Sequence, residues 1–107
     1  MPVKMPPPNK EIQQVDEVLS TLKQGKTNLC CKDLTKLLVS LGYTVRDGKR
    51  GGHKVFTHQN IEEFYSDSFN CGHGTNPEIK PAYISKVRKL VEKHKDELVK
   101  YLAKKGK

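Results

Sequence analysis

The 107-residue chain contains no apolar run of the length that a membrane-spanning helix requires. Crossing a bilayer takes about 20 consecutive, mostly apolar residues. The start of the chain, MPVKMPPP, also lacks the apolar stretch of a secretory signal. We therefore expect a cytoplasmic protein with no membrane partner.

Motifs for metals and cofactors are missing as well. The cysteines, Cys30, Cys31 and Cys71, form no C-x-x-C pair, and adjacent cysteines rarely bind one zinc ion together. Their odd number fits a reducing compartment better than a disulfide framework. We expect Cys30 to be a helix N-cap and Cys31 a small apolar filler. The glycines of DGKRGG match neither a Walker nor a dinucleotide-binding spacing, so no metal and no cofactor is expected.

Positive charge, by contrast, is abundant and unevenly spread. The net charge is +8, and residues 80–107 alone hold ten lysines or arginines against three acidic residues. A basic segment of this kind is typical of a protein that binds a polyanion such as nucleic acid. The alternative is a lysine-rich helix whose charged face only interacts with water.

The first part of the chain is predicted to be helical after a disordered start. Four prolines near the N-terminus predict disorder over residues 1–10. Apolar residues at helical spacing, ended by Gly25, predict an additional helix and a linker over residues 11–28. A second helix spans about residues 31–41, and Gly42 suits the left-handed residue that follows a helix.

Three short strands and a final helix follow. Residues 43–46 and 53–58 are predicted strands joined by the turn DGKRGG, and residues 68–71 form a third strand. The acidic stretch 59–66 fits either a long loop or one helical turn. Pro81 suits the first turn of one long amphipathic helix.

The predicted order is therefore one helix followed by α-β-β-β-α, which defines an α+β protein. Taken alone, residues 29–104 have the element order of the double-stranded-RNA-binding fold, and residues 105–107 form a basic tail. Domains of that fold recognise RNA by shape, through its phosphates and 2′-hydroxyls.

Four short motifs together resemble the HicA toxins, small ribonucleases of bacterial toxin–antitoxin systems. KDLTKLLVSLGY is similar to the first helix of that family. RGGHKVFTH resembles its Gly-Ser-His motif, which opens an apolar strand that a second histidine follows. Cys71-Gly72-His73 and Ile79-Lys80-Pro81 are similar to the end of its third strand and the start of its last helix. The four motifs cover roughly residues 29–95, in the order of the family.

The resemblance implies a metal-independent endoribonuclease that cleaves mRNA and is neutralised by a HicB-type antitoxin. It implies that His53 is catalytic. His73 is a second candidate because the third strand is expected to lie beside the second, although it could equally be a hydrogen-bonding loop residue. The chain departs from the family at Gly52, where serine is usual, in a longer stretch after His58, and in the additional first helix.

Histidine suits this reaction because its ordinary pKa, about 6.5, makes both protonation states accessible near neutrality. RNA carries its own nucleophile, since a base that deprotonates the 2′-hydroxyl yields a 2′,3′-cyclic phosphate. Without the resemblance, His53 is interpreted as an exposed residue at a strand end. His58 is interpreted as a polar strand end, and His94, on the apolar stripe of the last helix, as a half-buried, hydrogen-bonded residue.

Cationic side chains near His53 are candidates for holding the phosphate. Strand alternation places His53 and Lys54 on opposite faces, with Phe56 in the core, so Lys49 and Arg50 on the turn are favoured. The full set of predicted RNA-binding residues is Lys49, Arg50, Lys54, Lys80, Lys86, Lys89 and Lys93. The last three of these share one side of the final helix, where a row of lysines suits an RNA backbone or an acidic antitoxin.

Two other functions stay open from the sequence. A non-catalytic RNA-binding module of the same fold would explain Gly52 as the mark of a site that has lost its chemistry. A protein-interaction domain would use the additional helix and the acidic stretch 59–66.

Overall fold

The computed structural model describes residues 10–24, 29–49, 51–62, 64, 66–72 and 77–105. The helices and strands in these ranges are α1 (Lys10–Gln24), α2 (Cys31–Ser40), β1 (Thr44–Asp47), β2 (His53–Thr57), β3 (Asp67–Asn70), α3 (Pro81–Lys93) and α4 (Lys95–Lys105). The predicted α+β class is confirmed. A helix precedes the α-β-β-β-α order, and the last helix of that order is in two parts.

Several predicted features lie outside the described residues. They are the proline-rich start over residues 1–9, the linker at 25–28, the candidate site residues Arg50 and His73, and the end of the basic tail at 106–107. Among the described helices, none has the length and the apolar composition needed to cross a bilayer.

The strands form one antiparallel sheet in the order β1-β2-β3. Val45 lies opposite Phe56, and Lys54 lies opposite Phe69. Alternate residues of a strand point to opposite faces, so Phe56 and Phe69 share one face. Both phenyl rings are almost fully buried, which identifies this face as the one that packs on the hydrophobic core. His53 therefore points to the other face, as the alternation predicts.

The additional N-terminal helix α1 is part of this core. Its Val15 is fully buried, and Val18 and Leu22 are nearly so. Burying each such side chain contributes about 1.5–3 kcal/mol. α1 packs against α3 and α4, and the ammonium of Lys95 lies 2.6 Å from the Asp16 carboxylate. Helix α1 is thus an integral layer of the domain.

The turns that position the sheet follow the sequence closely. Each predicted strand boundary lies within one residue of the observed one. Gly42 has a φ of +94° after α2, as predicted, and a side chain there would collide with the ring of Tyr101. In the stretch 59–66, the amide of Phe64 donates to the carbonyl of Ile61 at 3.2 Å, and both side chains are buried. One turn therefore covers the end of the core.

The prediction of one long final helix is wrong, because α3 and α4 are separated at His94. No proline or glycine marks this break in the sequence. The ring of His94 is buried and lies 5.8 Å from the ring of Phe64, between centroids. Val91 before the break and Leu98 after it are both fully buried, so both helices pack on the core. Lys105, assigned to the tail from the sequence, is the last residue of α4.

Cys31 and Cys71 form a disulfide, which corrects the expectation that the cysteines are free. Their Cα atoms are 5.3 Å apart, within the usual range for a disulfide. The two residues are 40 positions apart. Their bond depends on how the start of α2 meets the end of β3, which a cysteine count does not show. Cys30 is a free thiol and occupies the N-cap of α2, as predicted.

Candidate nucleic-acid cleft

The face of the sheet that points away from the core carries an open cleft of about 1000 Å³. It is lined by Arg46, Asp47, Gly48, Lys49, Gly51, His53, Val55 and Asn70. Strand alternation and cross-strand pairing explain this set. Arg46 pairs with Val55 and Asn70 pairs with His53, so these four side chains share one face.

His53 begins β2 and is half-buried at the centre of this row. Its ring lies over the backbone of Gly48, where a side chain would collide with the imidazole Cδ2. The Gly48 amide donates to the His53 carbonyl at 2.7 Å, which holds the two residues opposite each other. Among the described residues, none forms a hydrogen bond with either nitrogen of the His53 ring, so both nitrogens are available to a ligand.

The geometry of the turn before His53 favours glycine at position 52. Gly52 has a φ of +80°, a conformation that side chains disfavour. A Cβ at this position would also collide with the carbonyl oxygen of Gly72. The carbonyl of Gly52 accepts a hydrogen bond from the Cys71 amide at 2.6 Å. Glycine at 52 thus lets the turn pack directly on the end of β3.

Two cationic side chains, those of Lys49 and Arg46, are exposed and line the cleft with His53. Lys49 was predicted for this role, whereas Arg46 and the neighbouring Asn70 were missed. Arg46 is the diagonal cross-strand neighbour of His53, a separation of about 7–8 Å that a long side chain can bridge. The pairing register of the strands would have identified Arg46 and Asn70 as neighbours of His53, but strand propensity alone does not give that register.

Lys80 lies beside the same site. It lines a smaller recess of about 280 Å³ with Tyr83 and Glu78. Gly51 and Asn70 line both this recess and the main cleft, so the two adjoin. Lys80 is exposed at the N-cap of α3, and the structure brings it to the edge of the cleft.

Two lysines predicted to bind phosphate are instead engaged within the protein. Lys54 lies on the core face of the sheet and pairs with Asp47, its cross-strand neighbour. Its ammonium is therefore paired with a carboxylate of the protein, while its assignment as a phosphate ligand stays a prediction. Lys86 lies 2.7 Å from a carboxylate oxygen of Asp67 and donates to the Ser68 carbonyl at 3.0 Å. It fastens α3 to β3.

Lys89 and Lys93 lie away from His53, along a groove of about 440 Å³ on α3. Lys86 lines the same groove, so the predicted common side of these lysines is confirmed. Within the described part of the chain, no acidic group pairs with Lys89 or Lys93. These two exposed cations form a second, separate basic surface.

His58 and His94 are structural residues. The amide of Asn60 donates to Nδ1 of His58 at 3.2 Å, so the proton is on Nε2, which donates to the Leu41 carbonyl at 3.0 Å. Burial lowers the pKa of His58, and the nearby His94 lowers it further, while the bond to Leu41 opposes both. Nδ1 of His94 lies 3.2 Å from a carboxylate oxygen of Glu97.

Tyr43 is at the centre of a cluster of aromatic rings in the core. Its ring meets those of Phe56, His58 and Phe64 edge to face. Burial, reinforced by the negative charge of Glu97, raises the pKa of the Tyr43 phenol. Among the described residues, none forms a hydrogen bond with its buried hydroxyl. This cluster lies under the sheet, on the opposite side from the cleft.

Comparison with known proteins found no matching family model, no matching curated protein and no matching solved structure. The resemblance to the HicA toxins therefore stays a prediction from four motifs. In the described residues there is also no group of histidine, cysteine and carboxylate side chains arranged to hold a metal ion.

Proposed function

We propose that this protein is a metal-independent endoribonuclease with a HicA-like, double-stranded-RNA-binding-like fold, and that His53 is its general base. One observation carries the proposal. The imidazole of His53, with both nitrogens free among the described residues, lines one cleft with the cations of Arg46 and Lys49.

The reaction uses groups of the RNA itself. His53 takes the proton of a 2′-hydroxyl, and the resulting oxygen attacks the adjacent phosphorus. The bond to the 5′ oxygen breaks, leaving a 2′,3′-cyclic phosphate on one product and a 5′-hydroxyl on the other. Arg46 and Lys49 stabilise the negative charge that grows on the phosphoryl oxygens. The leaving oxygen needs a proton, and His73 is the candidate donor from the sequence.

The proposed HicA-like function also implies the partners of the protein. The substrate is mRNA in the cytoplasm, and the regulator is an acidic antitoxin of the HicB type. The net charge of +8 favours association with both. Lys89 and Lys93 offer an unpaired basic surface outside the cleft, where an RNA backbone or the acidic partner can bind.

RNA cleavage in the presence of a metal chelator tests the proposal. Purified protein should cut RNA in EDTA and leave 2′,3′-cyclic phosphate ends. His53→Ala should reduce the rate by about 10²–10⁴-fold, the usual contribution of a general base. Thr57→Ala, on the same face at the far end of β2, is the matched control and should cut normally. Unchanged cleavage by His53→Ala would overturn the assignment of the catalytic residue.

A second candidate is an RNA-binding module without catalysis. It is favoured by the described part of the cleft, which contains one histidine, His53, whereas the proposed reaction needs both a proton acceptor and a proton donor. Salt-dependent RNA binding without products, unchanged by His53→Ala, would favour this module over the nuclease.

A further inference from the structure

The disulfide lies directly behind the cleft. Cys71 immediately follows Asn70, which faces His53 across the strands. Its sulfur is bonded to that of Cys31, the first residue of α2. The bond thus ties the end of the edge strand β3 to a helix on the core side of the sheet.

Cys71 also determines the position of the turn before His53. Its amide donates to the Gly52 carbonyl at 2.6 Å, and the next residue, Gly72, packs against the Cα of Gly52. Gly52 precedes His53 in the chain. A displacement of Cys71 would therefore move the wall of the cleft at Asn70 and the turn that holds the histidine.

The start of α2 holds the other side of the cleft edge as well. The Cys31 amide donates to the Pro77 carbonyl at 3.0 Å, and Cys30 forms an isolated β-bridge with Glu78. The Ile79 amide donates to the Leu29 carbonyl at 2.8 Å. Residues 77–79 lead directly to Lys80 at the cleft edge. One short segment, Leu29–Cys31, therefore fastens both Cys71 and the approach to Lys80.

We propose that the Cys31–Cys71 disulfide is a redox-controlled clamp that fixes the shape of the cleft. A dithiol reductant of the thioredoxin class is the co-reactant. Its thiolate attacks Sγ of Cys31, which is half-buried, whereas Cys71 is buried. The sulfur–sulfur bond breaks, and Cys71 leaves as a thiolate that takes up a proton. The second thiol of the reductant then releases Cys31, so that two cysteine thiols form and the reductant becomes a disulfide.

The clamp agrees with the expected compartment. Disulfides in cytosolic proteins, where they occur, are mostly transient, catalytic or redox-sensing. Once the covalent bond is broken, the described part of the cleft edge is held by the hydrogen bonds of Cys31, Cys71 and Ile79 and by burial of the Cys71 and Ile79 side chains, and non-covalent contacts of this kind can open locally. Reduction should therefore loosen the edge while the helices stay folded. The control acts on the shape of the cleft and does not require that RNA be cleaved.

The test uses the full-length protein with and without dithiothreitol. Thiol counting in denaturant should find one reactive cysteine, Cys30, in the unreduced protein. It should find three in the reduced protein. Amide hydrogen exchange at Cys71 and Ile79 should then rise by about tenfold or more on reduction, while core amides such as that of Val87 keep their protection. The NMR signals of the His53 ring should shift at the same time.

Variants separate the clamp from a general loss of stability. Cys31→Ser with Cys71→Ser should show the reduced exchange pattern without reductant and ignore dithiothreitol. Cys30→Ser is the matched control and should respond as the natural protein does. Three free thiols before reduction, an unchanged exchange rate at Cys71, or an equal rise at Val87 would each overturn the proposal, the last because the bond would then hold the whole fold.

Discussion

The two ends of strand β2 place chemically identical side chains in opposite environments. His53 begins the strand on the open face, half-buried, with both ring nitrogens free among the described residues. His58 follows the strand's last residue and is buried, with both ring nitrogens hydrogen-bonded. In the run HKVFTH, four residues therefore separate a histidine with free ring nitrogens from one that is hydrogen-bonded within the core.

The difference shows what a histidine needs in order to act as a base. His58 uses Nδ1 as an acceptor and Nε2 as a donor within the protein, and burial disfavours its charged form. A substrate therefore cannot contact the buried ring of His58 or exchange a proton with it. The ring of His53 lies over the backbone of Gly48 and lines a cleft with two cationic side chains, and no described residue forms a hydrogen bond with its nitrogens. The two side chains are chemically identical. We propose that only an accessible ring with a free nitrogen, as in His53, can act as a base.

The largest effect on stability should come from removing the buried member of this pair. His58→Ala should lower the free energy of unfolding by about 2–4 kcal/mol, because it opens a cavity beside Tyr43 and Tyr101 and leaves the Leu41 carbonyl unpaired. Denaturant unfolding followed by circular dichroism measures the change. His53→Ala is the control and should stay near the natural stability. Equal losses from both variants would contradict the assigned roles.

A smaller loss should follow from placing at position 52 the serine that is usual in the HicA toxins. Gly52→Ser should lower stability by about 1–3 kcal/mol, because it strains a left-handed residue and forces Gly72 away. It should also reduce RNA cleavage, since it moves the turn that carries His53. Gly51→Ser, at a position with open space for a side chain, is the matched control. A gain in cleavage by Gly52→Ser would argue that the missing hydroxyl matters more than the turn.

Lowering the pH should reduce the stability contributed by His58, with a smaller effect than mutation. Burial lowers the pKa of His58 below its unfolded value of about 6.5. Its contribution to stability is complete above pH 6.5 and is lost as the pH falls below that value, because the unfolded chain then binds a proton that folded His58 refuses. Unfolding curves between about pH 7.5 and 5 measure this. Stability that falls equally in His58→Asn would show that other groups carry the effect.

The smallest effect should come from the basic groove on α3. Lys89→Ala with Lys93→Ala should weaken RNA binding and reduce the slope of log K against log salt by about 1.4–1.8, because each lysine releases counterions from one phosphate. Fluorescence anisotropy across a salt series measures the slope. Lys10→Ala, exposed at the start of α1 and outside the groove, is the control. An unchanged slope would show that these lysines do not bind RNA, and the proposed acidic antitoxin would then be their expected partner.

Local rules predicted much of this molecule. Strand alternation placed Phe56 in the core and His53 opposite it, and the signals at Gly42 and Pro81 marked a helix end and a helix start correctly. Each of these depends on residues a few positions apart. Alternation also predicts that the side chains of Lys54 and His53 point to opposite faces of the sheet.

What the sequence did not reveal depends on contacts between distant segments. The disulfide joins residues 40 positions apart, and the break at His94 has no proline or glycine to mark it. Arg46 and Asn70 enter the cleft through the pairing register of three strands. Propensity locates strands, but register decides which side chains become neighbours, and register follows from the whole sheet.

A single substitution in the RNA tests the role of His53 most directly. Once a cleavage position is mapped, an RNA with a 2′-deoxynucleotide on the 5′ side of that position removes the nucleophile and leaves the other contacts in place. The account predicts that this RNA binds as well as the natural one and is not cut at that position. Continued cleavage there would mean that the attacking oxygen does not come from the ribose, and that His53 does not act as its base.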